Sequence, residues 1–280
     1  MKKFLLLALA VCAVLPAYAQ DKKNNYSIAY ETSSYGYKEP LSNHHMELKG
    51  RMSGVVLDYI SRSAFTAKEI DANDPSFFAI QLRYMQGDVN YDGWLVNKST
   101  TPYTYIKDYQ PNISDYYLEG RLTAGSVYDL GSVVEFWPYV GIAGRYLVDK
   151  QQEKSPYAYR RTSTYIYAPV GAKTKLKLPA EWSLSLNGEY DIFIFGKQLS
   201  RLTDTNPTAE NLRNDQGQGY GARASLQLAK EFKHVGFFVE PFFRYWHIKE
   251  SDKFFTSPTE YWVEPDNETH ESGLKIGITF

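Results

Sequence analysis

The chain has 280 residues, with 31 basic against 32 acidic side chains and an aromatic complement of 24 Tyr, 15 Phe and 5 Trp. A net charge of −1 without a basic block excludes a nucleic-acid footprint. A single cysteine excludes a disulfide framework, and the absence of any later run of 18 apolar residues excludes a helical membrane protein.

At the N-terminus, Lys2 and Lys3 precede an apolar run from Phe4 to Leu15 and the small-residue site Ala17-Tyr18-Ala19. This is the pattern of a secretory signal peptide over residues 1–19, cleaved after Ala19, with residues 20–280 as the mature domain. A lipoprotein signal at Cys12 is rejected, because Val11 is branched where a small residue is needed and cleavage there would halve the apolar run. Cys12 leaves with the signal, so thiol chemistry is excluded from the mature chain.

Downstream, ten stretches read as strands: 26–36, 46–60, 77–90, 114–128, 133–149, 162–178, 182–197, 218–231, 236–250 and 269–280. The last shows the period of two most clearly, and the seventh repeats it. Trp182, Leu184, Leu186, Tyr190, Ile192 and Ile194 fall on one face, and Ser183, Ser185, Asn187, Glu189 and Asp191 on the other. In the eighth, Tyr220, Ala222, Ala224, Leu226 and Leu228 oppose Arg223, Ser225 and Gln227; in the ninth, Phe237, Val239, Phe243 and Tyr245 oppose Glu240 and Arg244. The last alternates Leu274, Ile276, Ile278 and Phe280 with Gly273, Lys275, Gly277 and Thr279.

The connections alternate in kind. Residues 129–132, 179–181 and 233–235 are tight, whereas the intervening links are long and polar. Together these features predict an all-β fold, an antiparallel transmembrane β-barrel of about ten strands with short periplasmic turns and long extracellular loops. A link from Ser63 to Ser76 falls on the short side yet is long. Paired aromatics at Tyr35 and Tyr37, Tyr91 and Trp94, Tyr116 and Tyr117, Phe136 and Trp137, Trp182, and Tyr245 and Trp246 suit two interfacial girdles.

The terminal Phe280 resembles the C-terminal signal read by the barrel assembly machinery, which places the protein in a Gram-negative outer membrane among lipid and lipopolysaccharide, as a monomer. Ten strands with long outer loops also resemble the omptin proteases, whose rims carry an aspartate pair facing an Asp-x-His dyad. Near the position of the aspartate pair this chain has Asp88 and Asp92, four residues apart, and near that of the dyad it has Asp204 with no histidine beside it. The resemblance therefore implies the architecture, and a rim hydrolase would need His247 to meet Asp88 or Asp92.

The inward positions mix both signs: Arg83, Glu119, Arg121, Glu135, Arg145, Lys173, Lys175, Glu189, Asp191, Arg223, Glu240, Arg244 and Lys275. In so narrow a barrel these side chains reach across the lumen, and mixed signs predict a neutralising network that fills it, made by Arg83, Glu119, Arg121, Glu135, Arg145, Glu189, Arg223, Glu240 and Arg244. A narrow ion path is the alternative. Among the outer loops, Arg160-Arg161 is the anion candidate, and His44-His45 would hold a metal only with Glu47 or Asp92 folded over it. No cofactor or metal is expected. The sequence thus predicts a non-enzymatic, porin-like or structural barrel whose loops bind at the cell surface, with a rim hydrolase and a narrow channel as alternatives.

Overall fold

The computed structural model describes residues 24–40, 46–62, 75–97, 104–258 and 261–280. The expected signal peptide with Cys12, the His44-His45 pair and most of the 63–76 link lie outside them. Ten long antiparallel strands follow in order: β1 Asn24–Glu39, β2 Met46–Arg62, β3 Ser76–Asn97, β4 Thr104–Ser126, β5 Val134–Asp149, β6 Arg161–Leu178, β7 Trp182–Ser200, β8 Gly219–Glu231, β9 Gly236–Ile248 and β10 Asn267–Thr279. Each pairs with its sequence neighbours, and β10 pairs with β1 from Ser27↔Thr279 to Lys38↔Glu268, so the sheet closes. At the seam Phe280 N donates to Tyr26 O at 2.9 Å.

Closure follows from the strict alternation. Every second side chain points outward, and the outward set is apolar on all ten strands: Tyr30, Val55, Leu82, Leu118, Ile142, Val170, Leu186, Leu226, Phe243 and Ile276 are all exposed. On β7 the apolar outward positions run from Leu184 to Ile194, roughly 25 Å of height for strands tilted by about 40°. A band of exposed Leu, Ile, Val and Phe around a whole barrel is untenable in water and matches a bilayer core. The protein is a ten-stranded transmembrane barrel.

The turns sort as expected. The link between β6 and β7 is Pro179-Ala180-Glu181, in which Ala180 and Glu181 both take positive φ (56° and 61°), the handedness that a tight hairpin between twisted strands needs. At the opposite end β3 and β4 extend beyond their expected limits, and residues 91–97 pair with 104–110 past a register shift between Val89 and Tyr91. Gly93 and Pro111-Asn112 lie beyond the strand limits read from the sequence. The shift accommodates them, and Asn112 adopts φ 56° beside it while its N–H bonds Asn90 Oδ1 at 3.1 Å.

The adjacent aromatics do not all join girdles. Period two splits each neighbouring pair, so Tyr116, Phe136 and Tyr245 point outward while Tyr117, Trp137 and Trp246 are buried in the lumen. Tyr35 and Tyr91 are buried inside as well, packing with Met46, Leu48, Met52, Met85, Val89 and Ile113 on the β1–β4 wall. That wall is apolar toward the loop end, where a polar lumen was expected. A smaller cluster of Ala143, Tyr167, Phe193, Trp246 and Ile248 faces it.

Candidate functional site

The lumen is organised in three tiers, and the middle one is ionic. Five arginines, Arg83, Arg121, Arg145, Arg223 and Arg244, meet five acids, Glu31, Glu119, Glu189, Asp191 and Glu271. Arg223 is the hub. Its two terminal nitrogens each reach Glu119 at 2.9 Å, its Nε reaches Asp191 at 2.6 Å and Glu189 at 3.3 Å, and it donates to Tyr167 Oη at 2.7 Å. Arg83 bridges Glu31 and Glu119, and Arg121 holds Glu189. Arg244 bonds Glu31 at 2.5 Å and Glu271 at 3.3 Å, while Arg145 takes the other Glu271 oxygen at 3.1 Å. Tyr117 donates its hydroxyl to Glu271 at 2.8 Å.

The ten charges come from eight of the ten strands and sum to zero. All lie in the lumen, with Arg121 the least buried at 12%. Charge neutrality allows so many ions to sit inside a low-dielectric wall, because each would be costly to desolvate alone. The sequence reading named seven of the ten for this network, together with Glu135 and Glu240. Those two face inward lower down in separate groups, Glu135 with Arg62 and Lys177 and Glu240 with Lys275 and Gln227. Asp191 was read as inward but left out of the network. Glu31 and Glu271 also carried the inward parity of β1 and β10, and that signal was there to be read.

Below the ionic tier the lumen opens at the turn end into a cavity of about 480 Å³, floored by Arg83, Arg121, Arg223 and Arg244. Above it, at the loop end, Arg161 is drawn inward between two carboxylates. It bonds Glu39 at 3.0 Å and also Glu264, and Tyr37 donates to the same pair at 2.9 and 3.2 Å. Glu264 sits in the loop before β10, outside the membrane-spanning strands. Burial pushes its carboxyl up to about 7, against the pull of Arg161 and with the added repulsion of Glu39. Arg161, half of the expected anion pair, is thus spent on internal neutralisation.

Arg160 has the opposite fate. It lines a pocket of about 280 Å³ on the outer surface of the barrel, with Lys197, Arg201, Tyr116, Tyr146, Thr162 and Thr164. The strand residues of this pocket are outward-facing, directly above the apolar positions Leu118 and Ile142. Among the described residues neither Arg160 nor Arg201 has a carboxylate at ion-pair distance, and Lys197 has only Asp215 at 3.8 Å.

Asp88, Asp92 and His247 do not share a cleft. All three point outward, on β3 and β9, and β10, β1 and β2 lie between those strands in the closed sheet. Asp92 approaches Lys107 at 3.7 Å, and Asp88 stands across from Arg51 and Ser114 in the registers of β2 and β4. His247 Nε2 lies 2.7 Å from Asp266 Oδ1, a partner the sequence reading missed, and Lys249 takes the other Asp266 oxygen at 3.1 Å. Among the described residues no three His, Cys, Asp or Glu side chains cluster to hold a metal ion.

No family model and no curated protein matches the chain. Among solved structures it is similar to the outer membrane protease OmpT from Escherichia coli, with a TM-score of 0.62, 9% identity, and coverage of 93% of this chain and 97% of that one. The translocator domain of the autotransporter NalP from Neisseria meningitidis aligns with a TM-score of 0.41 at 9% identity over 98% and 94% of the two chains. The likeness to OmpT is one of fold: the chain has the ten-stranded architecture of an outer-membrane barrel.

Proposed function

We propose that this barrel, exported by a signal peptide over residues 1–19, is a sealed, non-conducting outer-membrane protein that binds at the cell surface through its loop end. On this reading its ligand there is a phosphate-bearing lipid headgroup such as that of lipopolysaccharide. The carrying observation is the outward pocket of Arg160, Lys197 and Arg201. Three cations with little local neutralisation stand just above the apolar band, at the height where headgroup phosphates of the outer leaflet lie. Tyr116 and Tyr146 offer ring faces to the sugar, and Thr162 and Thr164 offer hydroxyls. The neutral ionic tier supports the non-conducting part of the reading, since an ion crossing it would have to displace paired charges.

The test is native mass spectrometry of the folded barrel in detergent with lipopolysaccharide and with its dephosphorylated form, combined with planar-bilayer recording. The intact glycolipid should remain bound, and Arg160→Ala with Arg201→Ala should release it. Equal retention of the dephosphorylated form would refute phosphate recognition, and a stable open conductance would refute the sealed lumen.

A further inference from the structure

The turn-end cavity carries a second cation cluster, at the opposite end of the barrel from the outer pocket and independent of it. Its centre is Trp137 on β5. Arg62 Cζ lies 4.5 Å and Lys173 Nζ 4.2 Å from the centroid of that ring, so two cations share one indole. Lys175, two residues along β6, points into the same cavity. The local acid is Glu135, which accepts from Trp137 Nε1 at 3.0 Å and is taken up by Lys177 at 2.9 Å and Arg62 at 3.5 Å.

Three carboxylates line the cavity itself: Asp58 accepts from Ser27 and Gln81, Glu231 accepts from Thr279 Oγ1 at 3.5 Å, and Glu240 pairs with Lys275. Lys173 and Lys175 have no carboxylate at ion-pair distance among the described residues. Two lysines of like sign held side by side in a recessed lumen, one already sharing an aromatic ring with an arginine, form an electrostatic debt that a bound anion would settle. The neighbouring strand supplies the remaining contacts, because the register sets Asn187 beside Lys173 and Ser185 beside Lys175, both facing inward.

We infer that the turn-end cavity is a binding site for a small multivalent oxyanion, held by Arg62, Lys173 and Lys175 with Ser185 and Asn187 as neutral donors. At about 480 Å³ the cavity is of small-molecule size and takes a ligand with two or more clustered anionic groups. The ionic tier above is already neutral and offers such a ligand no further attraction, so the anion enters and leaves by the turn end.

The experiment is calorimetric titration of the full folded barrel in zwitterionic detergent with pyrophosphate and, separately, with citrate, at low salt. One-to-one binding of either is expected, and tighter binding of one assigns the site to phosphate or to carboxylate chemistry. Lys173→Gln with Lys175→Gln should weaken it about ten- to a hundredfold, the loss of charge-assisted hydrogen bonds. The charge-preserving Lys173→Arg with Lys175→Arg should keep most of it, and Arg160→Ala with Arg201→Ala at the far end should leave it unchanged. Heat-modifiable gel mobility confirms that each variant is folded. No heat with either anion, binding unchanged in the glutamine variant, or binding lost only in the outer-pocket variant would each overturn the assignment.

Discussion

Replacing Arg223 with Ala tests whether the middle tier is a dry, neutral plug. The substitution removes the bidentate pair with Glu119, the bonds to Asp191 and Glu189 and the hydrogen bond to Tyr167. Glu119 keeps Arg83 and Glu189 keeps Arg121, but Asp191 loses its ion-pair partner. Four arginines then face five acids. Charge-assisted hydrogen bonds are worth about 1.5–3 kcal/mol each, yet they do not add, and the better guide is the cost of breaking a buried pair on one side, about 3–5 kcal/mol. Urea unfolding in lipid vesicles at neutral pH should therefore show Arg223→Ala less stable by that amount. Adding Asp191→Asn restores neutrality, and the double variant should recover about 2 kcal/mol relative to the sum of the singles. A loss below about 1 kcal/mol, as for an exposed ion pair, or strict additivity with Asp191→Asn, would show that water reaches the network and that its charges are not mutually dependent.

Two further outcomes follow. Glu264 ionises at about 7 in the folded barrel against 4.5 for an ordinary glutamate, so the folded state favours its protonated form. Its contribution is most stabilising below pH 4.5 and is lost as pH rises to about 7, a change on the order of 3 kcal/mol. The urea midpoints of the native chain and Glu264→Gln should therefore diverge between pH 5 and 8, and parallel profiles would remove the buried, repelled carboxyl from the account. Ile142→Arg, in the exposed apolar band of β5, should destabilise the barrel in vesicles by about 2–4 kcal/mol while Tyr157→Arg in the outer loop leaves it unchanged; equal effects would displace the membrane band.

Strand existence and facing were legible because they are local. One residue of parity separates Arg160 in the outer pocket from Arg161 in the lumen, and the alternation that sorts Trp182 through Ile194 reports the same thing. Partner identity was not legible, because the wall curves back on itself. Arg145 meets Glu271 across 126 residues and Arg244 meets Glu31 across 213, and no local pattern announces either contact. The meeting of His247 with Asp88 or Asp92 that a rim hydrolase would need fails on parity and on circumference together: outward side chains on a cylinder diverge. Strand ends were misjudged where turn-forming residues sit inside a ladder, as at Gly93 and Asn112, since a register shift absorbs them without ending the pairing.

The ionic tier also bears on how the wall comes to be closed. Its partners sit on strands made at opposite ends of synthesis: Glu31 on β1 depends on Arg83 from β3 and Arg244 from β9, and Glu271 on β10 depends on Arg145 from β5. A half-built sheet entering lipid would carry arginines and glutamates whose counterparts had not yet arrived, and each would resist leaving water. Only the finished circle neutralises them all. The ionic tier therefore makes insertion cooperative with closure, penalising every open intermediate and leaving the closed cylinder as the form the bilayer accepts.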